Sequence, residues 1–424
     1  MKKKNIIEVL EERGFFDALT SEDLREAVNK PLKVYVGFDP TADSLHLGNL
    51  IGIIALTWFQ KYGHTPIALL GGATGRIGDP SGRSTERNLL DDETLSHNVR
   101  CIEAFFQRIF RVSDGPQPVI VNNNDWYSRF SMIDFLRDVG KYFRIGPMLA
   151  KESVRARMES EEGLSLTEFC YQTLQGYDFH YLNQHMGVTV QMGGSDQWGN
   201  ITAGIDFNRK LGGTPLYGLT FPLLTRSDGK KFGKSESGAI WLSSEKLSPY
   251  QFYQHLVRFP DADVISLLKM LTFLPLEEIA QIEREMTMPG YVPNTAQKKL
   301  AEEVTRFVHG ESGLQAALKV TEGIAPGSQS TLDSAVLQEL SSDMPNATLH
   351  LAEVVGQKYT DVIAKIGLVD SKSEAVRLVK NGGAYLNNER VSDPLFLLTS
   401  AHLIDGIYLL LSAGKKKRIL LKTI

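Results

Sequence analysis

The 424-residue sequence contains only two cysteines, Cys101 and Cys170, and they form no C-x-x-C pair. We therefore expect two free thiols, with neither a disulfide framework nor a cysteine-based zinc site. No apolar run approaches the ~18 residues that a membrane-spanning helix needs. The N-terminal segment is interrupted by Glu8, Glu11 and Glu12, which indicates an amphipathic helix and not a signal peptide. We expect a cytoplasmic protein without a membrane segment.

An overall excess of basic charge is also lacking, since the formal net charge is −4. The charge is unevenly distributed along the chain. From Leu351 to the C-terminus, 11 Lys or Arg residues against 7 Asp or Glu residues give a net charge of +4, which leaves −8 for the first 350 residues. A basic C-terminal segment attached to an acidic body is typical of a module that contacts nucleic-acid phosphates.

The order of elements predicts an α/β fold with a doubly wound parallel sheet. Residues 33–40 resemble a buried strand that leads into a helix ending at Gly63, and strands and helices continue to alternate through the segments PVIVNNND and VTVQMGGSD. We expect a Rossmann-like catalytic domain over residues 1–235 with a helical insertion around 126–186. An α-helical domain over 236–325, a linker over 326–350 and a small α+β domain over 351–424 should follow.

Two short motifs suggest phosphate chemistry. His46 and Gly48 lie at the predicted start of a helix, where free N–H groups favour negative charge. Alone, such a histidine is more often a solvated or capping residue. The loop DGKKFGKSESG adds Lys231 and Lys234, whose ammonium groups can converge on a pyrophosphate leaving group. A solvated lysine-rich turn is the alternative, and the combination of both motifs on an α/β fold argues against it.

A third feature is the polar face of the helix-like stretch TEFCYQTLQGYDF. Tyr171, Gln175 and Asp178 are spaced i, i+4 and i+7 and therefore share one side of a helix. Such a face is ordinarily just the wet side of a helix. Here the surrounding residues are too apolar for a surface helix, and buried polar groups need hydrogen-bond partners. A polar ligand would supply them.

These motifs resemble the two signatures of class I aminoacyl-tRNA synthetases, in the form His46-Leu47-Gly48-Asn49 and Lys231-Phe232-Gly233-Lys234-Ser235. The segments GGATGRIGDPSGR, NNNDW, TEFCYQTLQGYDF and QMGGSDQWGNITAG are similar to those of bacterial tyrosyl-tRNA synthetases. The resemblance implies an enzyme that activates tyrosine with ATP and transfers it to tRNA(Tyr). It further implies Mg²⁺ carried on the ATP phosphates, no tightly bound cofactor or metal, and a homodimer built through the helical insertion.

The resemblance also implies roles for individual residues. Tyrosine is expected to contact Tyr35, Asp39, Asp79, Asn123, Tyr171, Gln175, Asp178 and Gln197, with Tyr35 and Asp178 at the phenol and Tyr171, Gln175 and Asp79 at the α-amino group. ATP is expected to contact Gly37, Thr41, His46, Gly48, Gly193, Asp196, Lys231, Lys234 and Ser235. The expected catalytic residues are His46, Asn49, Lys231, Lys234, Arg83 and Arg87.

The C-terminal stretch SKSEAVRLVKNGGAYLNNERVSDP looks like an S4 RNA-binding domain. The expected RNA contacts are Ser371, Arg377, Lys380, Lys415, Lys416, Lys417 and Arg418. The sequence departs from the usual pattern at Val36, Asn49 and Arg83, where many members have Cys, His and Lys. Asn49 is expected to keep a hydrogen bond through its amide, whereas Val36 has no polar side-chain group.

Three alternative functions are weaker. A tryptophanyl-tRNA synthetase would need neither a partner for a phenol nor the S4-like module. A noncatalytic RNA-binding protein would not need Lys231, Lys234, Asp79 and Asp196 intact. A Rossmann dehydrogenase is disfavoured because GGATGRIGD lacks the G-x-G-x-x-G register with an acidic residue about 20 positions on.

Overall fold

The computed structural model describes residues 4–82, 85, 89–110, 115–225, 234–235, 238–323, 337, 344–414 and 417–424, with the backbone alone at 234–235. The chain divides into two compact units. One contains Met1–Lys246 and Leu256–Val304, and the other contains Leu247–His255 and Thr305–Ile424. Within the described part of the chain, no helix is both long and apolar enough to cross a membrane.

A six-stranded sheet forms the centre of the first unit. Its strands are β1 (Ala18–Leu19), β2 (Lys33–Phe38), β3 (Thr65–Leu70), β4 (Val119–Asn122), β5 (Val190–Gly194) and β6 (Tyr217–Phe221), in the order β1-β6-β5-β2-β3-β4. All neighbouring strands are parallel except β1, which is antiparallel to β6. The direction of strand order reverses between β2 and β5, as in doubly wound folds. The predicted Rossmann-like sheet is confirmed, whereas β1 and β6 were not predicted.

Local sequence accounts for the elements that flank the central strands. Helix α1 (Ile6–Glu12) and the short α2 (Asp23–Ala27) precede β2. Helix α3 (Leu47–Lys61) follows β2 and is apolar along most of its length, because it is buried against the sheet. Helix α4 (Asp92–Ile109) instead buries one stripe, with Leu95, Val99, Ile102 and Phe106 at spacings of three and four residues.

The insertion between β4 and β5 is helical, as expected. It contains α5 (Asn124–Tyr127), α6 (Met132–Asp138), α7 (Ile145–Leu149), α8 (Glu152–Met158) and α9 (Leu166–Met186). The side chain of Ser165 caps the start of α9, and Gly187, at a φ of 69°, ends it. A buried ion pair joins Arg157 to Glu168 at 2.8 Å. The pair joins α8 to the first turn of α9. The predicted polar face lies further along α9.

Helix α10 (Trp198–Lys210) follows β5. Further along the chain lie α11 (Pro249–Val257), α12 (Asp261–Leu271), α13 (Leu276–Glu285) and α14 (Thr295–Gly323). Gly310, at a φ of 75°, interrupts the helical backbone of α14. The predicted helical domain of residues 236–325 is therefore helical in content but is not one compact unit. Residues 247–255 and those from 305 onward group with the C-terminal part of the chain.

The second unit contains a five-stranded sheet of β9 (Asn346–Leu349), β10 (Ala384–Leu386), β11 (Glu389–Arg390), β12 (Tyr408–Ala413) and β13 (Lys417–Thr423), in the order β11-β10-β12-β13-β9. Helices α15 (Tyr359–Lys365) and α16 (Lys372–Lys380) accompany it. The predicted linker over 326–350 is too long. Strand β9, at the end of this range, pairs with β13. Leu337, in the middle of the range, is buried in a cluster with Val320 and Leu410, and removal of these apolar side chains from water stabilises the cluster.

Candidate active site

A deep cleft opens at the carboxyl ends of β2 and β5, where the strand order reverses. Ligands of doubly wound proteins bind at this switch point. Side chains from β2, β5, the start of α3 and one side of α9 converge on the cleft. The predicted site residues that line it are Tyr35, Gly37, Asp39, Thr41, His46, Gly48, Asn49, Asp79, Tyr171, Gln175, Asp178, Gly193, Asp196 and Gln197.

The N-terminus of α3 presents His46 to this cleft. Its Nδ1 accepts a hydrogen bond from the Gly48 backbone N–H at 3.0 Å, and the Asn49 Oδ1 accepts one from the His46 backbone N–H at 3.0 Å. Because Nδ1 is an acceptor, a neutral His46 ring carries its proton on Nε2, which can donate to a phosphate. Asn49 fixes the turn through its oxygen, so its position in the signature has a structural role besides the donor role predicted from sequence.

The deep end of the cleft is built around Asp178 and Tyr35. The buried Asp178 carboxylate accepts hydrogen bonds from Asn123 Nδ2 at 3.1 Å and Trp126 Nε1 at 2.9 Å. Burial raises the pKa of Asp178 to about 7, although both hydrogen bonds oppose this shift. The Tyr35 hydroxyl is buried and has no hydrogen-bond partner within the described part of the protein. A buried hydroxyl beside a carboxylate indicates that a polar ligand group belongs between them.

The Tyr35 hydroxyl is held in its protonated form. Burial, assisted by the charge of Asp178, raises its pKa well above the ordinary value for tyrosine. The ring packs edge-on against Phe179 at a centroid distance of 5.4 Å. Tyr35 therefore presents a protonated hydroxyl, a hydrogen-bond donor, at the deep end of the cleft.

A carboxylate, Asp39, lies at the C-terminal end of β2 and also lines the cleft. The Tyr171 hydroxyl donates to Asp39 Oδ2 at 2.8 Å, and the Thr74 hydroxyl donates to Asp39 Oδ1 at 2.7 Å. Both oxygens of the carboxylate thus accept hydrogen bonds, which fix its orientation. This arrangement provides negative charge next to the predicted amino-group site.

A second carboxylate, Asp79, belongs to the same wall. Asp79 accepts hydrogen bonds from Gln197 Nε2 at 2.7 Å and from the Ser81 backbone N–H at 2.9 Å. The Gln197 oxygen in turn accepts from Gln175 Nε2 at 3.3 Å. Asn200 Nδ2 lies 3.3 Å from both Asp79 Oδ1 and Gln197 Oε1. Asp39, held by hydroxyl groups, and Asp79, held mainly by amide groups, form a suitable environment for an ammonium group.

The side of the cleft predicted to bind ATP exposes glycine backbone. A Cβ atom built on Gly193 would lie 2.8 Å from the Cβ of Gln197, so only glycine fits without displacing that residue. A Cβ on Gly37 would meet nothing within 4 Å, which means that open space lies above this part of β2. Asp196 follows in the turn at Ser195–Gln197. A ribose or a purine can approach bare backbone here.

Several predicted residues lie outside the described part of the chain: Arg83, Arg87, Lys231, Lys415, Lys416 and the side chains of Lys234 and Ser235. The backbone of Lys234–Ser235 forms β7, which pairs in antiparallel fashion with β8 (Gly238–Ala239). The roles predicted for these side chains remain predictions.

The predicted RNA contacts of the second unit differ in their surroundings. Ser371 is the N-cap of α16, where its hydroxyl accepts from the Glu374 backbone N–H at 3.2 Å. Arg377 and Lys380 lie in the last turn of that helix. Lys417 is exposed, whereas Arg418 is partly buried and its pKa is lowered by that burial. Ser371 therefore has a clear capping role.

Sequence reasoning missed four residues of this site: Thr74, Trp126, Gln191 and Asn200. Trp126 was part of the NNNDW segment, yet only Asn123 was selected from it. Gln191, paired with Tyr35 on the neighbouring strand, lines the cleft with a buried Oε1 that has no hydrogen-bond partner among the described residues. Its position in an otherwise apolar buried strand was the available signal.

Comparison with known proteins agrees with this geometry. A family model described as tRNA synthetases class I (W and Y) matches residues 26–324, so the chain belongs to this family of class I synthetases. A second model, the Tyrosine--tRNA ligase SYY-like C-terminal domain, matches residues 336–421. This second match distinguishes the tyrosine members from the tryptophan members.

Relatives that match this chain over nearly its full length are also tyrosine--tRNA ligases. Tyrosine--tRNA ligase of Protochlamydia amoebophila is 56% identical over 99% of both chains. The chloroplastic/mitochondrial tyrosine--tRNA ligase of Arabidopsis thaliana is 53% identical over 99% of this chain and 84% of its own. The solved structure of a C-terminally truncated mitochondrial tyrosyl-tRNA synthetase from Aspergillus nidulans is 34% identical, with a TM-score of 0.65 over 74% of this chain and 93% of that one.

Proposed function

We propose that this class I synthetase activates tyrosine with ATP and then transfers the tyrosyl group to the 3′-terminal adenosine of tRNA(Tyr). The observation that carries the amino-acid assignment is the pair of Tyr35 and Asp178 at the deep end of the cleft. A tyrosine phenol can donate its proton to Asp178 and accept a hydrogen bond from Tyr35. Tryptophan has no oxygen with which to accept the bond from Tyr35.

The α-amino group of tyrosine is assigned to the opposite wall. Asp79, Tyr171 and Gln175 are its proposed contacts, and Asp39 and Gln197 hold these groups in place. The support is the network in which Tyr171 donates to Asp39 and Gln197 donates to Asp79. The ammonium and phenol groups of tyrosine are thus bound at opposite ends of the site. This arrangement leaves the carboxylate of the substrate directed toward the nucleotide.

The first step joins that carboxylate to ATP. A carboxylate oxygen attacks the α-phosphorus, the bond from this phosphorus to the bridging oxygen breaks, and pyrophosphate leaves with the electron pair. We assign the ribose and adenine to Gly37, Thr41, Gly48, Gly193 and Asp196. Mg²⁺ enters as part of the substrate, bound to the ATP phosphates.

Catalysis of this step rests on positioning and charge stabilisation. His46 lies at a helix N-terminus and can donate through Nε2, so it is assigned to the phosphates together with Asn49. The departing pyrophosphate is assigned to Lys231, Lys234 and Ser235. Its negative charge is also assigned to Arg83 and Arg87. These last assignments rest on the sequence signatures.

In the second step, the terminal ribose hydroxyl of tRNA attacks the tyrosyl carbonyl and releases AMP. The C-terminal unit is assigned to RNA binding through Arg377, Lys380 and the basic segment 415–418. Its net charge of +4 from Leu351 onward supports an attraction to phosphate. The proposed compartment is the cytoplasm, where a bacterial-type enzyme meets its tRNA.

We further propose that two copies of the chain associate through the helical insertion. Large apolar side chains are exposed there, including Met132 at 75%, Ile133 at 70% and Leu166 at 74%. Ile145 and Met158 of the same insertion are also exposed. The concentration of exposed large apolar side chains in this one segment supports a protein–protein contact there. The mass of the protein measured by sedimentation equilibrium tests this arrangement.

The decisive experiment is amino-acid-dependent exchange of labelled pyrophosphate into ATP, measured with all twenty amino acids. Tyrosine alone should support exchange, because only its side chain satisfies both Tyr35 and Asp178. Exchange that is faster with tryptophan would refute the assignment. Exchange with none of the amino acids would support a noncatalytic protein.

A further inference from the structure

Thr74 connects the two ends of the proposed tyrosine site. It lies in the turn after β3, is buried, and lines the cleft. Its hydroxyl donates to Asp39 Oδ1 at 2.7 Å and accepts a hydrogen bond from Asn123 Nδ2 at 3.0 Å. Asn123 Nδ2 also donates to Asp178 Oδ2 at 3.1 Å. The Thr74 hydroxyl and the Asn123 amide together therefore link the carboxylates of Asp39 and Asp178.

The direction of these hydrogen bonds is determined by chemistry. Asn123 Oδ1 accepts from the Ala73 backbone N–H at 2.7 Å, which orients the amide so that Nδ2 faces Thr74 and Asp178. An amide NH₂ group only donates. The Thr74 oxygen must accept from it, and its one proton is committed to Asp39.

The same reasoning extends to the other oxygen of Asp39. Oδ2 accepts the hydroxyl proton of Tyr171 at 2.8 Å. A phenol has one proton to donate and lone pairs with which to accept. With its proton directed to Asp39, Tyr171 presents its oxygen as an acceptor for an ammonium group.

The backbone below this pair leaves little freedom. A Cβ atom built on Gly71 would overlap Asp39 Oδ1 and lie 2.5 Å from Thr74 Oγ1. The Asp39–Thr74 contact therefore lies directly against the Gly71 Cα. Glycine at this position allows the carboxylate and the hydroxyl to meet.

We propose that Thr74 is a positioning residue: through Asp39 it holds the Tyr171 hydroxyl in the orientation that accepts the α-ammonium group of tyrosine. The proposal rests on the function proposed above. Thr74 acts on the amino end of the substrate, because at the phenol end Asn123 remains oriented by the Ala73 backbone N–H and still donates to Asp178 when the Thr74 hydroxyl is removed. Its loss should therefore weaken ligands that carry an α-amino group more than ligands that lack it.

The test compares tyrosine with 3-(4-hydroxyphenyl)propanoate, which differs by the absence of the amino group. In Thr74→Val, which keeps the shape and removes the hydroxyl, the KM for tyrosine in pyrophosphate exchange should rise about tenfold, the effect of one hydrogen bond to a charged group. The kcat should change less than about threefold, because the ammonium has the same charge before and during the reaction. The inhibition constant of the propanoate should change less than about twofold.

Two variants serve as matched controls. Thr74→Ser retains the hydroxyl and should restore the KM to within about threefold of the wild type. Thr57 is another buried threonine, whose hydroxyl donates to the Ile53 carbonyl within α3 at 2.9 Å. Thr57→Val should leave both ligands unaffected. If Thr74→Val does not fold, Gly71→Ala displaces the same pair and should show the same selectivity between the two ligands.

Equal weakening of both ligands would overturn the proposal, since that is the signature of a merely structural residue. A Thr74→Val enzyme with wild-type KM would overturn it as well, as would a serine variant that fails to recover. These outcomes are distinct from failure of the proposed function. In that case the wild type itself would show no tyrosine-dependent exchange.

Discussion

The Tyr35→Phe substitution should affect stability and activity in opposite directions. The Tyr35 hydroxyl is fully buried, and within the described part of the protein it has no hydrogen-bond partner. In the free protein this group has lost water without gaining a replacement, a cost of about 1–3 kcal/mol for a buried unsatisfied group. Removing the oxygen should raise the free energy of unfolding by roughly 1 kcal/mol, since the ring and its contact with Phe179 remain.

With tyrosine bound, the same hydroxyl gains its partner. A neutral hydrogen bond contributes about 0.5–1.5 kcal/mol, so Tyr35→Phe should lower kcat/KM for tyrosine by roughly 2- to 12-fold. Phenylalanine offers no oxygen to Tyr35, and its kcat/KM should stay within about twofold of the wild type. The assay is pyrophosphate exchange with each amino acid, combined with chemical denaturation of the free protein.

Tyr359→Phe is a suitable control. Tyr359 is also buried, but in the second unit, and its hydroxyl donates to the Tyr385 carbonyl at 3.0 Å. Its removal should destabilise the protein by about 1 kcal/mol and leave tyrosine activation unchanged. The reasoning fails if Tyr35→Phe destabilises the protein as Tyr359→Phe does, or if it lowers the activity with phenylalanine as much as that with tyrosine.

Three further predictions follow from the described geometry and charge. Asp178→Ala should reduce the tyrosine-over-phenylalanine ratio of kcat/KM by roughly 10- to 150-fold, the effect of one hydrogen bond to a carboxylate; an unchanged ratio in pyrophosphate exchange would mean that selectivity lies elsewhere. Burial lowers the pKa of His64 to about 4 from an ordinary 6.5. The neutral, buried ring therefore makes its full contribution to the free energy of unfolding above pH 6.5, and this contribution is lost as the pH falls toward 4. Between pH 7 and pH 5, the free energy of unfolding of the wild type should change less favourably than that of His64→Gln by about 2 kcal/mol, because the opposite effect of Asp178 is present in both proteins and cancels; equal changes in the two proteins would contradict this. Replacing Lys415, Lys416 and Lys417 by Gln should weaken aminoacylation of tRNA but not pyrophosphate exchange, with a deficit that shrinks at low salt; a salt-independent deficit would argue against phosphate contacts.

The substitution of Lys415, Lys416 and Lys417 leaves Arg418 unchanged. Arg418 is partly buried, so its replacement would disturb packing as well as charge. Truncation of the chain near Ser328 would be a less clean test of RNA binding by the C-terminal unit. It would remove Leu337, Tyr408 and Leu410, against which Val320 is packed.

The main elements of the first unit could be predicted because their signals are local. Long apolar runs in β2, β3 and α3, together with glycine-rich turns, mark a parallel sheet covered on both faces. Strands β1 and β6 escaped prediction. β1 has two residues, Ala18 and Leu19, and is defined by its pairing with β6, a contact about 200 residues distant in sequence.

The domain boundaries illustrate the same limit. Residues 247–255 belong to the compact unit of the C-terminal chain, although nothing in their composition separates them from the helices that follow. Strand β9 resembled a linker because SSDMPNATLH is rich in turn formers. It becomes a strand through its parallel pairing with β13, which is a tertiary contact.

By itself, the sequence determined the family, the two signature motifs and a set of candidate site residues, many of which line the cleft, because chemistry at such sites requires particular residue types at particular spacings. Only the tertiary structure decided how those residues are oriented. The link from Asn123 through Thr74 to Asp39 joins three segments that are distant in sequence, and the unsatisfied hydroxyl of Tyr35 is apparent only once its surroundings are packed. Hydrogen-bond direction and burial depend on neighbours in space, and these are set by the fold as a whole.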